Sequence, residues 1–203
     1  MRIMRILCLL VCSFMAARAS PIVLHEIQDT CDKPVDIMIA RALSQEVLYN
    51  TAYEWGHNRK ITGWRYERVP QAETGQLAIT LASRQLRLDD SRECVRVEYS
   101  MRVPIPSFAS SLSSSLSAPV PMKKTLCSSA GKVFERTDIK GLPLIGDMLI
   151  TTETVLSRGR LRSISSGDIM PSFLASIMYH KLSTAVKTTW HEKTNVFVRQ
   201  LCM

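Results

Sequence analysis

The chain has 203 residues, 46% of them hydrophobic and 22% charged, with 8 glycines, 9 prolines and a formal charge of +8. That balance excludes intrinsically disordered, collagen-like and coiled-coil classes and leaves a chain that buries a core, in one domain by its length. The basic excess by itself suggests a nucleic-acid partner, a suggestion that the N-terminus weakens.

Residues 1–19, MRIMRILCLLVCSFMAARA, carry the three parts of a secretory signal. Arg2 and Arg5 form a positive n-region, Ile6 to Ala17 is apolar, and Ala17-Arg18-Ala19 is an A-x-A cleavage site. The apolar stretch is shorter than the roughly 20 residues that a spanning helix needs. Cleavage after Ala19 is expected, leaving residues 20–203 as a single secreted domain. Arg2, Arg5 and Arg18 leave with the leader, so the charge falls by three, from +8 to +5.

Cys8 and Cys12 leave as well, and Cys31, Cys94, Cys127 and Cys202 remain. An even number in an oxidising compartment reads as two disulfides. No C-x-x-C or C-x-x-H spacing occurs, so no metal site is expected.

In chain order, Ile22 to Gln28 is β-prone, and Asp32 stands where an N-cap belongs, with Pro34 in the first turn of a helix. From Val35 to Tyr53 apolar residues recur at three- and four-residue steps, predicting a helix broken near Ser44 and stopped at Gly56. Three strands follow, over 61–69, 76–86 and 94–103. The last two alternate cleanly, with Leu77, Ile79 and Leu81 on one side of the first and Val95, Val97, Tyr99 and Met101 on one side of the second. One buried face and one wet face per strand favours an antiparallel sheet.

The Pro-flanked, Ser-rich stretch 104–121 holds Phe108, Leu112 and Leu116 at four-residue spacing, which predicts a short helix laid across a connection. Strands are predicted over 122–127, 132–138, 148–157 and 160–169, separated by turn chemistry at 128–131, 141–146 and 158–159. Residues 171–201 then carry a stripe at helical spacing, from Leu174, Met178, Leu182 and Val186 to Trp190, Lys193, Phe197 and Leu201, with Asp168 and Ser172 at its start. If the strands 94–103 and 122–127 are antiparallel neighbours, the start of one meets the end of the other. That predicts a Cys94–Cys127 bridge and, by elimination, Cys31–Cys202.

A strand, a helix pair, a run of strands and one long terminal helix make an α+β architecture, a curved antiparallel sheet wrapped around the last helix. This order resembles the START-like superfamily, the helix-grip fold of lipid-transfer START domains, birch-pollen-allergen-like proteins and polyketide-cyclase-like proteins. The resemblance covers nearly all of residues 21–201. It rests on element order, on Asp32-Lys-Pro-Val-Asp36 leading into the first helix, and on Ser166-Gly-Asp-Ile-Met-Pro-Ser-Phe173 before a helix that ends in a Trp190-to-Phe197 segment.

The resemblance implies a cavity between sheet and terminal helix that holds a lipid or other apolar molecule. Candidate lining positions are Leu77, Ile79, Leu81, Val95, Val97, Tyr99, Met101, Met178, Leu182 and Trp190. A secreted, monomeric binding protein without enzymatic activity or cofactor is the expectation, with a transient membrane contact as a further partner. The alternative from a different class is a secreted protein that engages a host or cell-surface protein, its cavity unused.

Chemical motifs speak against an enzyme. His191-Glu192 opens like a zinc-protease motif but lacks the second histidine four residues on. His25, His57 and His180 are scattered, and neither a G-x-S-x-G elbow nor a phosphate loop occurs. Arg160 and Arg162 share one strand face and can meet lipid phosphates, although a solvated strand face is the favoured reading, since surface charge is the norm. Trp64 and Tyr66 beside Arg65 and Arg68 are a trace of the aromatic and basic interleaving that nucleic-acid binding needs, and no nucleic-acid partner is expected.

Overall fold

A computed structural model describes residues 22–56, 60–70, 78–81, 84–87, 93–104, 117–143, 146–169 and 173–203. The elements are β1 (Ile22–Asp29), α1 (Val35–Ala42), α2 (Gln45–Trp55), β2 (Ile61–Arg68), β3 (Ala78–Leu81), β4 (Arg84–Arg87), β5 (Glu93–Pro104), β6 (Ser117–Ser129), β7 (Lys132–Leu142), β8 (Gly146–Ser157), β9 (Arg160–Ile169) and α3 (Phe173–Cys202). The fold is α+β, as the element order predicts. The signal segment, residues 1–19, lies outside the described residues.

The helical segment after β1 breaks where Ser44 stands. The Ser44 hydroxyl accepts a hydrogen bond from the Val47 amide at 3.2 Å, capping α2, and donates to the Arg41 carbonyl at 2.9 Å. Asp32 does not cap α1. Pro34 occupies that position and no side chain caps it, because a helix whose first turn starts after Pro34 leaves Asp32 two residues too early. Pro34 has no amide hydrogen and a fixed φ, so it suits this boundary.

Seven strands form one antiparallel sheet in the order β1-β9-β8-β7-β6-β5-β2. From β5 to β9 each strand pairs with the next, and β1 returns to the β9 edge while β2 closes the other. The α1–α2 pair therefore carries the chain from one edge to the other. Tight turns make the meander: Ala130 and Gly131 both have positive φ (45° and 75°) between β6 and β7, the twist that a two-residue hairpin requires.

The predicted strand 76–86 is instead a separate two-stranded hairpin, β3–β4, with Ile79 opposite Leu86. Its alternation satisfies one long strand and two short ones equally. The predicted helix over 104–121 also needs correction. Residues 105–116, with Phe108, Leu112 and Leu116, lie outside the described residues, but β6 begins at Ser117 rather than at 122. Pro119 and Pro121 are tolerated in a strand because this part of β6 pairs with β5 alone, β7 joining only from Met122.

Register identifies one face of the sheet. Tyr99, Met122, Ile139 and Met148 align across β5 to β8, and Val97, Lys124, Thr137 and Ile150 form the next row. Both rows are buried, with no residue above 6% exposure. The core cluster joins this face to Met38, Leu48, Trp55, Trp190 and Leu201 of the helices. On the opposite face Cys94 and Cys127 stand directly across from one another, Cα to Cα 4.2 Å, and form one disulfide. The second joins Cys31, after β1, to Cys202 at the end of α3, with Cα atoms 5.3 Å apart. Both pairs are those predicted.

Candidate functional site

The buried stripe of α3 runs Val186, Trp190, Lys193, Thr194, Phe197, Val198 and Leu201. A lysine in the middle of such a stripe must find a partner or lose its proton, since a lone buried ammonium costs several kcal/mol. Lys193 finds Glu135 on β7, and the two are hydrogen-bonded with side chains 4% and 7% exposed. Lys124 on β6 approaches the same carboxylate oxygen, Oε1, at 3.3 Å. The Thr137 hydroxyl donates to that oxygen at 2.7 Å.

Two ammonium groups thus share one carboxylate inside the protein. The Lys193 ammonium also lies 4.3 Å from the centroid of the Trp190 ring, a cation–π contact strengthened by the lack of water. Trp190 packs edge-on against Trp55 at 5.9 Å, and Tyr99 lies 5.4 Å from Trp64, so aromatic rings flank the charges. The Tyr99 hydroxyl and the Trp190 Nε1 are buried without a hydrogen-bond partner. Beyond Glu135, Thr152 and Ser165 exchange a hydroxyl contact at 3.0 Å, and Thr154 and Ser163 another at 3.1 Å, so hydroxyls extend from the charges across β8 and β9.

Burial pushes Lys193 down to about 7 against the opposing charge of Glu135. Burial also resists ionisation of Glu135, but Lys124 and Lys193 outweigh it and hold the carboxyl well below its ordinary range. Burial raises the Tyr99 phenol, which stays protonated and available as a donor.

Of the predicted lining positions, Val95, Val97, Tyr99 and Met101 lie on the inward face of β5, and Trp190 faces them from α3, all buried. Leu77 lies outside the described residues. Ile79 and Leu81 are on the separate β3 hairpin, and Met178 and Leu182 are on α3; the side chains of these four also lie outside the described residues. Lys124, Glu135 and Lys193 were not among the predicted positions. Their signal is phase: Lys124 sits in the apolar alternation Met122-x-Lys124-x-Leu126, and Glu135 between Val133 and Ile139 in the same way.

Elsewhere the surface is less specific. Depressions of about 410 and 570 Å³ lie on the outward face of the sheet, the first beside Glu98, Lys123 and Asp138, the second beside Gln28, Arg160 and Arg162. Arg162 is paired with Glu26 at 2.8 Å. Trp64 and Tyr66 pack inward, the Tyr66 hydroxyl donating to the Leu43 carbonyl at 2.8 Å, so they offer no exposed stacking platform. Among the described residues no cluster of three or more His, Cys, Asp or Glu can hold a metal, and no helix is long and apolar enough to cross a membrane. No protein-family model and no curated protein sequence matches this chain.

Proposed function

We propose that this is a secreted, non-enzymatic binding protein of the START-like, helix-grip kind, which holds a lipid or other apolar small molecule between the sheet and α3. The observation that carries this reading is the buried cluster of Tyr99, Lys124, Glu135, Lys193 and Trp190 between sheet and helix, in which the Tyr99 hydroxyl and the Trp190 Nε1 are left unpartnered. A core selected for packing alone is more stable with apolar residues at such positions. Ligand sites, by contrast, are mostly apolar with a few convergent polar groups. The antiparallel sheet order and the helix pair joining its two edges also support the reading, and the two disulfides suit an extracellular compartment.

The test is native mass spectrometry and organic extraction of the protein from its own host, followed by titration with a fluorescent fatty acid. Co-purified apolar mass and saturable uptake are expected. An empty protein with no saturable uptake overturns the reading.

A second reading, a secreted protein that engages a host or cell-surface protein, is favoured by Ile37, Tyr49 and Tyr53, which expose 45%, 40% and 61% of their surface on α1 and α2. Recovery of a protein from extracellular material by the parent chain, and its loss with Tyr49→Ser/Tyr53→Ser, supports it; equal recovery by both removes it.

A further inference from the structure

The cluster between sheet and helix carries more positive charge than it neutralises. Lys124, Lys193 and Thr137 all direct their polar atoms at Oε1 of Glu135, so one carboxylate serves two ammonium groups. Each ammonium has three donors and no acceptor. Two more polar groups nearby stand idle: the Trp190 Nε1, which can only donate, and the protonated Tyr99 hydroxyl, which is buried and unpartnered. Around them stand Val97, the register partner of Lys124, and the rings of Trp55 and Trp64. With both lysines protonated the interior therefore holds one positive charge more than Glu135 neutralises, and two unpartnered polar groups beside apolar surface.

We propose that Lys124, Lys193, Tyr99 and Trp190 form a subsite for the anionic head of an amphipathic ligand, a carboxylate at the end of a long apolar chain. This rests on the reading of the sheet–helix interior as an apolar ligand site and specifies which class of ligand it takes. A carboxylate supplies one charge, which cancels the surplus, and two oxygens with about four lone-pair directions, which suit the idle donors. A phosphate dianion overshoots the charge, and a neutral alcohol leaves the surplus in place. Glu135 acts as a positioning residue: it holds both ammonium groups at the sheet–helix seam and meets no ligand itself.

The experiment compares palmitate, hexadecanol, hexadecyl phosphate and acetate as ligands of the parent chain, Lys193→Met and Tyr99→Phe. Calorimetry or displacement of a fluorescent fatty acid reads binding, and circular dichroism reads folding. Palmitate is expected to bind about 10- to 100-fold more tightly than hexadecanol, the range of one hydrogen bond to a charged group. Lys193→Met brings the two ligands to within about threefold of each other, and Tyr99→Phe, which removes one oxygen and keeps the ring, reduces the preference by a smaller factor. With [1-13C]palmitate, the bound carboxyl carbon should titrate below the range of the free acid in the parent chain and return toward it in Lys193→Met, a readout that a purely structural lysine does not move.

Equal binding of palmitate and hexadecanol overturns the anionic subsite and leaves the apolar-ligand reading standing. Failure of every long-chain ligand overturns both. Preference for hexadecyl phosphate overturns the carboxylate assignment, and acetate binding as tightly as palmitate shows a free-anion site and overturns the amphipath. If Lys193→Met does not fold, Tyr99→Phe and the carbon signal of the parent chain decide the matter.

Discussion

Lys123 and Lys124 are neighbours in sequence and opposites in structure. Lys123 points outward from β6, half exposed, and meets Glu98 at 3.5 Å. Lys124 points inward, 7% exposed, and meets Glu135 at 3.3 Å. The distances are nearly the same and the chemistry identical. In water the outer pair exchanges hydration for a weak, screened attraction, whereas the inner pair has given up its hydration and depends on its partners. One residue of strand alternation therefore separates a dispensable charge from an obligatory one.

The widest separation between the two pairs comes from Glu135→Ala. It strands two buried ammonium groups and should cost about 3–5 kcal/mol, read from urea unfolding; a cost below about 1 kcal/mol would erase the distinction between the two faces.

Titration gives the next effect. Lys193 is held down to about 7 in the folded protein against an ordinary value of 10.5, so between those values the unfolded chain binds more protons, and stability from this group rises as pH rises from about 7 to 10.5. Glu135 is held below its ordinary 4.5, so below about pH 4.5 the unfolded chain again takes up more protons and stability falls. Unfolding midpoints measured across both windows should lose the alkaline rise in Lys193→Met.

Replacing the whole cluster is predicted to do less harm than breaking it. Lys124→Met/Glu135→Leu/Lys193→Met should be neutral or stabilised by about 1–4 kcal/mol, with any preference for acids gone. A strongly destabilised triple variant would mean that the ion cluster holds the helix on the sheet. The smallest effect belongs to Lys123→Ala, at about 0–1 kcal/mol and further reduced by salt.

Much of the fold was legible because its signals are local. The break at Ser44, the meander from Glu93 to Ile169 and the terminal helix follow from period, caps and turns. Both disulfides were legible once two strands were taken as antiparallel neighbours across the 104–121 stretch. The β3–β4 hairpin was not, because alternation looks alike in one strand of eleven residues and two of four. Of the site, Tyr99 and Trp190 were found as apolar lining. Lys124 lay unremarked inside the predicted strand 122–127, and Lys193 was counted in the helical stripe without its charge.

The sequence by itself determined an α+β chain with strands wet on one side, a long terminal helix, and four cysteines in two pairs. Only the tertiary structure decided that residues 124, 135 and 193 meet. Alternation tells which residues share a face of their own strand, but the meeting of three distant charges depends on strand register and on where α3 crosses the sheet. Their burial follows from that crossing, and with it the difference between a solvated lysine and one that requires a counter-charge.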